Sequence, residues 1–315
     1  MEQFLTVSFI TGLLAAAVRM ATPIALATTG EILSERSGVL NLGIEGTMLM
    51  GAMTGFVVTR LSGSLWTGVA AAAAVGLLLG LLMSVLTVYL GLSQHVSGLG
   101  VTLFSTGLSM FIYRLVVGAP VVPPTVEPFK QVAIPILSRI PILGTAFFNQ
   151  YALSYFAFIS AILLWALLYK TNWGLAIRTV GENPFAADTV GIKVNAVRTV
   201  CLAVGGALMG VGGAFLTLAH QNMFLIDVVG GRGWVSIAMV IFGNWDPLWA
   251  AAGAFLFGLI DALQFRIQTI GFKIPFHLFL ALPYLVTIAA LVGASRRAGA
   301  PAGLLKPYRR EEKGG

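Results

Sequence analysis

The chain has 315 residues, of which 57% are apolar and 10% charged, with a mean hydropathy of +0.91 and a net charge of +7. Average proteins carry about 25% charged residues, so this composition cannot clothe a water-soluble globule and describes a membrane protein instead. The excess positive charge forms no stripe on a soluble face but gathers around Arg178 and in Arg296, Arg297, Lys306, Arg309, Arg310 and Lys313; that is the bias of cytoplasmic segments, and it indicates no nucleic-acid partner.

In chain order, the first apolar stretch covers 4–29 and is interrupted by Arg19 and Pro23. It lacks a basic region before it and an obvious cleavage site after it, and is expected to be a retained helix. A polar stretch follows, Glu31-Ile32-Leu33-Ser34-Glu35-Arg36-Ser37-Gly38, and a second span begins near Val39 or Leu40, contains Glu45 and ends before Arg60. From 61 to 113 there is no Asp, Glu, Lys or Arg, and His95 is the sole basic side chain. A crossing needs ~20 apolar residues, so this run holds two spans, 65–90 and about 98–117, joined by the turn-like Gly91-Leu92-Ser93-Gln94-His95.

Residues 119–149 cannot be one helix, because Pro120, Pro123, Pro124, Pro128, Pro135 and Pro141 each lack a backbone donor and clash with the preceding turn. A fifth span covers about 150–169, a hydrophilic segment 170–198 and a sixth span about 199–218. Between 219 and 247 the run Gly230-Gly231-Arg232-Gly233 breaks the pattern, and the apolar piece 234–242 is too short to cross by itself. It is expected to be a broken or tilted helix buried among its neighbours. Asp246 as N-cap and Pro247 at the first helical position start another helix, and the last two spans cover about 248–265 and 274–292.

The expected fold is an all-α polytopic bundle of about nine transmembrane helices. The segment around Arg178 and the C-terminal tail lie inside, the Pro-rich loop and the N-terminus outside; Arg60, Lys130, Arg139 and Lys273 then fall on the outer side. Residues 1–295 are expected to form one membrane domain, and 296–315 a basic cytoplasmic tail. Gly51/Gly55, Gly76/Gly80 and Gly206/Gly210 recur at the spacing that lets helix backbones approach closely in lipid.

Catalytic apparatus is not visible. The chain lacks a G-x-x-x-x-G-K-[ST] phosphate loop, His95, His220 and His277 have no metal-ligand spacing around them, and Cys201 lies in an apolar run. The expectation is a protein without its own cofactor or metal, and not an enzyme.

The most informative stretch is Trp173-Gly174-Leu175-Ala176-Ile177-Arg178-Thr179-Val180-Gly181-Glu182-Asn183-Pro184-Phe185-Ala186-Ala187-Asp188-Thr189-Val190-Gly191-Ile192. Asn183 suits an N-cap, Pro184 the first turn and Gly191 a terminator, which predicts a short helix flanked by charge and presenting Phe185 outward. An ordinary cytoplasmic loop is the competing reading. This stretch resembles the coupling loop of permeases in binding-protein-dependent ABC importers of the branched-chain amino acid, ribose and nucleoside branch, whose pattern is roughly G-x-x-x-R-A-x-G-x-N-x-x-A-A-x-x-x-G-I. Gly174, Arg178, Gly181, Asn183, Ala186, Ala187, Gly191 and Ile192 match, with Thr179 in place of the common Ala.

Residues 31–50, E-I-L-S-E-R-S-G-V-L-N-L-G-I-E-G-T-M-L-M, are similar to the S-E-R-x-G-V-x-N-[IL]-G-x-E-G hallmark of nucleoside and simple-sugar permeases. Gly243-Asn244-Trp245-Asp246-Pro247, followed by an apolar span with Asp261-Ala262-Leu263, resembles that family's late-helix pattern. The resemblance implies a type II-like ABC importer permease in the cytoplasmic (inner) membrane, moving nucleosides or a related small polar solute. It implies a coupling loop over 171–195, centred on Gly174, Arg178, Gly181, Glu182, Asn183, Pro184, Phe185, Ala186, Ala187 and Gly191. It also implies a separate ATPase subunit that binds ATP and Mg, a second homologous permease, an extracytoplasmic substrate-binding lipoprotein, and surrounding membrane lipid. Simple sugars and branched-chain amino acids are alternative solutes.

Glu31, Glu35, Arg36, Asn41 and Glu45 need explanation, because ionisable groups near membrane depth face protein or water. One reading has them line or gate the pathway. The other pairs Arg36 with a nearby glutamate to pin the inner end of the first two spans. His220, Gln221, Asn222 and Asp227 on the outer side are further candidates for meeting substrate, although ordinary loop composition explains them equally. Two rival functions remain: a secondary transporter with Glu45 essential for ion coupling, and an intramembrane enzyme.

Overall fold

The structure is a computed structural model that describes residues 7–269 and 299–308, together with Leu285, Ile288 and Val292. The expected span 274–292, with Lys273 and His277, lies outside the described residues apart from those isolated positions; so do Arg296, Arg297, Arg309, Arg310 and Lys313.

Eleven described helices carry the fold: α1 (Val7–Arg36), α2 (Ile44–Ser62), α3 (Leu65–Ser84), α4 (Gln94–Val117), α5 (Leu143–Phe147), α6 (Ala152–Lys170), α7 (Asn172–Glu182), α8 (Pro184–Thr189), α9 (Val194–Phe215), α10 (Arg232–Phe242) and α11 (Pro247–Thr269). Of these, α1, α3, α4, α6, α9 and α11, with the π-helical turns that extend α3 and α9, are long and apolar enough to cross a membrane. The 19-residue α2 has spanning length but carries Glu45 and Arg60 near its ends.

Two expectations about boundaries are corrected. The first span does not end at 29: Glu31 to Arg36 form the last turns of α1, which runs for 30 residues through Pro23. Neighbouring elements meet Arg36 and one oxygen each of Glu31 and Glu35, so the helix continues through them. The turn after α3 is likewise shorter than 91–95: Gln94 and His95 already belong to α4, and the Gln94 side chain accepts from the Leu40 amide at 2.8 Å.

The Pro-rich loop is not one helix, as its prolines require. It contains β1 (Gln131–Ala133), the short α5 and β2 (Asn149–Tyr151), and the two strands pair antiparallel, Val132 opposite Gln150. This small sheet is an addition to the all-α expectation. The loop folds over the end of α9, where the Phe129 amide donates to the Leu218 carbonyl and the Val126 amide to the Asn222 carbonyl, both at 2.9 Å.

The centre of the bundle is α9, packed against α1, α2 and α3. The small-residue spacing read from sequence is used there, Gly206 facing Gly76 and Gly210 facing Ala72 and Gly51; Gly205 facing Gly30 and Gly213 on the Met48 carbonyl add contacts the spacing had not singled out. A Cβ on any of these α9 glycines would meet a backbone carbonyl of a neighbouring helix. Without a hydrophobic drive between helices in lipid, such close backbone approach is what holds them.

Helix α10 has 11 residues, a length of ~16 Å at 1.5 Å per residue, about half of a ~30 Å hydrocarbon core. It starts inside the bundle. Ser236 donates to the Ile24 carbonyl at 3.3 Å, which sets this turn level with the middle of α1. From there α10 runs to the same end of the bundle as Arg36. The chain enters α10 through Gly230 and Gly231, both with positive φ, 58° and 80°, a backbone conformation glycine adopts without steric cost. A short buried piece at this position is what the sequence led us to expect.

Candidate functional site

Two stretches singled out separately in the sequence meet at one end of the bundle. Thr171 caps α7 by accepting from the Gly174 amide at 3.1 Å. Asn183 caps α8 by accepting from the Ala186 amide at 3.0 Å, with Pro184 in the first turn. The helix stops where the Gly191 amide donates to the Asp188 carbonyl at 2.9 Å and Gly191 takes φ 86°. The local capping chemistry therefore acts where the residue types placed it.

The inner side of this segment consists of Gly174, Ile177, Val180, Gly181, Pro184 and Ala187, all buried, while Glu182, Asn183, Phe185 and Ala186 are exposed. Gly174 lies on the Leu167 and Leu168 backbone, and Gly181 lies on the Arg36 carbonyl so closely that a Cβ would collide with it. The α7–α8 segment is thus seated directly on the end of α1. Phe185 is only partly outward: its ring meets Tyr308 edge-on, with centroids 5.2 Å apart at 65°. That qualifies the expected presentation of Phe185. Arg178 does not point away either; its guanidinium sits 5.1 Å from the centre of the Tyr169 ring, an attractive cation–π geometry.

Tyr169 joins this segment to the second stretch. Its hydroxyl accepts from Arg36 Nη2 at 3.1 Å, and Arg36 Nε donates to the Trp245 carbonyl at 3.0 Å. Trp245 in turn donates its indole N–H to Glu35 Oε2. Asn244 and Trp245 both have positive φ, 51° and 57°, a conformation bulky side chains rarely take; the turn between α10 and α11 keeps it while its carbonyls receive Arg36. The expected pairing of Arg36 with a glutamate is therefore corrected. Backbone carbonyls and a phenol hold the guanidinium, and the neighbouring carboxylate is committed to an indole.

The remaining polar candidates lie deeper. Glu31 is fully buried and accepts from the Asn41 amide at 2.8 Å, while Asn41 Oδ1 accepts from the Gly43 amide at 2.9 Å. Together they fold the link between α1 and α2 back into the bundle. Glu45 accepts from the Gly231 amide at 2.9 Å and from the Gly233 amide at 2.7 Å. It occupies the N-terminus of α10, where free amides and the helix dipole favour a carboxylate. Nearby, Arg232 forms an ion pair with Asp261 at 3.8 Å. On the opposite side of the bundle, the Asn222 carbonyl receives the Pro-rich loop, and Gln221 and Asn222 each keep a buried side-chain oxygen with no hydrogen-bond partner among the described residues.

Sequence reasoning missed Tyr169, Arg198 and residues 299–308. Arg198 belongs to the segment read as hydrophilic, yet it is 1% exposed and donates from Nε to the Ser37 carbonyl at 3.1 Å and from Nη1 to the Lys306 carbonyl at 3.2 Å. Trp245 carried a signal, because it stood in the Gly-Asn-Trp-Asp-Pro pattern. Tyr169 carried none.

Residues 13–291 match the family described as branched-chain amino acid transport system / permease component. A Haloferax volcanii protein provisionally named a glucose ABC transporter permease is 39% identical over 96% of this chain and 99% of its own length. The guanosine ABC transporter permease of Bacillus subtilis is 34% identical over 91% and 93% of the two chains, and a nucleoside ABC transporter permease of Lactococcus lactis 36% identical over 89% and 91%. No solved structure matches the chain. With six apolar membrane-length helices among the described residues, the chain belongs to the branched-chain amino acid transport system / permease component family and is a multi-pass permease subunit of the cytoplasmic membrane.

Proposed function

We propose that this permease is the translocation subunit of an ATP-driven importer for nucleosides, that it crosses the membrane about nine times, and that α8 is the helix through which a separate ATPase subunit drives it. One observation carries the reading of α8. A capped helix leaves Asn183, Phe185 and Ala186 exposed for a partner, while Gly181 beside it rests on the end of α1. A push on α8 is thereby delivered to a transmembrane helix and, through Arg36, to the α10–α11 turn. ATP and Mg bind the ATPase, which docks on the cytoplasmic side with α7 and α8. A second permease completes the pathway, and a substrate-binding lipoprotein delivers solute to the side of the Pro-rich loop.

In this reading Glu31, Glu35, Arg36, Asn41 and Glu45 brace the moving ends of helices, since each bonds a backbone group or an aromatic side chain of another segment or of the α1–α2 and α10 turns. The nucleoside assignment rests on the resemblance of residues 31–50 and on two relatives named for guanosine and nucleoside transport. Glucose is the second reading, because the Haloferax protein named for it is 39% identical. The test is uptake of labelled guanosine, with glucose as competitor, by vesicles holding the permeases, ATPase and binding protein. ATP-dependent guanosine uptake untouched by glucose is expected. Glucose uptake would replace the solute, and uptake on an ion gradient without the ATPase would overturn the importer reading.

A further inference from the structure

We infer that residues 299–308 are a splint for α8: they position it and carry its displacement to the α1–α2 link and the α10–α11 turn. This rests on the reading of α8 as the ATPase-contacting helix. The segment touches four separate elements. The Ala302 amide donates to Glu182 Oε2 at 3.0 Å and the Gly303 amide to the Gly181 carbonyl at 2.8 Å, both at the α7–α8 junction. Tyr308 is buried against Val180, Ala187 and Val194 and covers one side of the Phe185 ring. The Lys306 carbonyl receives Arg198 of α9, and the Gly299 amide donates to Asn244 Oδ1 at 2.8 Å in the α10–α11 turn.

Short helices do not hold themselves. The six residues of α8 are far below the ~12–15 at which isolated helices become even marginal, so tertiary contacts decide where α8 sits. Its caps fix its ends and α9 lies on one side, and the splint supplies the contact at Phe185 and the anchor at Glu182. Arg198 then makes the splint part of the membrane domain. One buried guanidinium spans the Ser37 carbonyl, at the exit from α1, and the Lys306 carbonyl, in the splint. A planar fork can serve two acceptors in fixed directions, which a lysine ammonium on a flexible stem does less well. A buried charge is a costly way to fill space, and here it ties two segments together. Arg198 is a positioning residue on this account.

The experiment uses the assembled transporter, with guanosine as solute, or glucose where the competition assay selects it. Four changes are compared: truncation after residue 298, Ala302→Pro, Tyr308→Ala and Tyr308→Phe. Ala302 follows Pro301 in a turn closed by the Leu304 amide on the Pro301 carbonyl at 2.9 Å. Proline suits that second turn position, so Ala302→Pro removes the amide offered to Glu182 and leaves the turn. The quantities measured are ATPase retained on purification and solute moved per ATP. Truncation and Tyr308→Ala should keep the ATPase bound yet lower solute per ATP by about fivefold or more, the lower end of typical coupling energies. Tyr308→Phe should restore it, and Ala302→Pro should fall between.

Unchanged solute per ATP in Tyr308→Ala and Ala302→Pro overturns the splint, whether or not the truncated chain can be purified. Equal loss in Tyr308→Ala and Tyr308→Phe overturns the packing role given to the ring. Ala186→Arg, on the exposed side of α8, separates the two levels. If it sheds the ATPase while the splint variants transport normally, only the splint fails. If it keeps both the ATPase and transport, the reading of α8 fails and the splint with it.

Discussion

The centre of the bundle relies on close glycine contacts, where its α7–α8 end adds arginines to them. Around α9, helices touch backbone to backbone through Gly205, Gly206, Gly210 and Gly213, with almost no room between them. At the α7–α8 end Gly174 and Gly181 also rest on neighbouring backbone, but the elements are further joined by long side chains reaching carbonyls and rings: Arg36 to Trp245 and Tyr169, Arg178 over Tyr169, Arg198 to Ser37 and Lys306. A glycine contact has one geometry and is lost by a fraction of an ångström. An arginine bonded to carbonyls tolerates rotation and keeps its partners while the elements shift. The first region is suited to remain one body, and the second to hand motion from one body to the next. Packed interfaces switch between discrete arrangements and do not deform smoothly.

That contrast breaks most visibly at Gly213. A Cβ there would collide with the Met48 carbonyl and crowd the Ala52 amide, and neither backbone can retreat without moving α2. Overpacking a tight core costs ~1–3 kcal/mol and occasionally more, and Gly213→Val belongs at or beyond that upper end. The expected result is loss of monodisperse protein on size exclusion. A Cβ added at Gly107 of α4 would have nothing within 4 Å, so Gly107→Ala should keep the full yield and gain roughly 0.5–1 kcal/mol of helix propensity. Equal behaviour of the two variants would remove the distinction between packed and open glycines.

The junction should respond more mildly and by a different rule. Trp245→Phe keeps the aromatic bulk and deletes the indole N–H, leaving the buried Glu35 Oε2 without its donor. Stranding a buried acceptor costs about 1–3 kcal/mol, a loss readable as lowered thermal stability in detergent. Removing both partners is cheaper than the sum, because no stranded group remains. Glu35→Ala combined with Trp245→Phe should therefore fall short of additivity, the sign of a direct interaction in a double-mutant cycle. Additive losses would mean that the two side chains stabilise the junction independently.

Local signals in the sequence were legible and distant ones were not. Asn183, Pro184, Gly191 and the Asp246–Pro247 start could be placed because capping depends on neighbours within three or four residues; Asp246 accepts from the Leu248 amide at 2.9 Å. Glycine spacing identified the faces that pack, though not which helices pair. The charges of Glu31 to Arg36 put the end of the first span too early, because the groups that meet Glu35 and Arg36, Trp245 and Tyr169, lie more than a hundred residues away along the chain. Arg198 misled for the same reason: its acceptors at Ser37 and Lys306 come from two distant segments. The basic composition of 296–315 suggested a cytoplasmic tail, and it does not reveal that the part at 299–308 packs on α7, α8 and α9 through backbone amides and carbonyls.

The smallest expected effect on stability tests the contrast most finely. Asn183 is exposed and its side chain makes one capping bond, so its removal touches neither the glycine core nor the arginine junction. Replacing an Asn cap by Ala costs ~0.5–2 kcal/mol of helix stability, while Gly costs a few tenths; Asn183→Asp keeps an acceptor and adds a charge that the helix N-terminus favours. Unfolding of the whole protein should scarcely notice any of the three, since α8 can fray without opening the bundle. Solute moved per ATP should notice, because a frayed α8 absorbs a push that a capped one transmits. The expected order is Asp and Asn together, Gly just below, and Ala lowest, with thermal midpoints nearly level across the series. If transport follows the thermal midpoints instead of the capping order, α8 is no more a lever than any other surface turn, and the division between a rigid centre and a transmitting end loses its functional meaning.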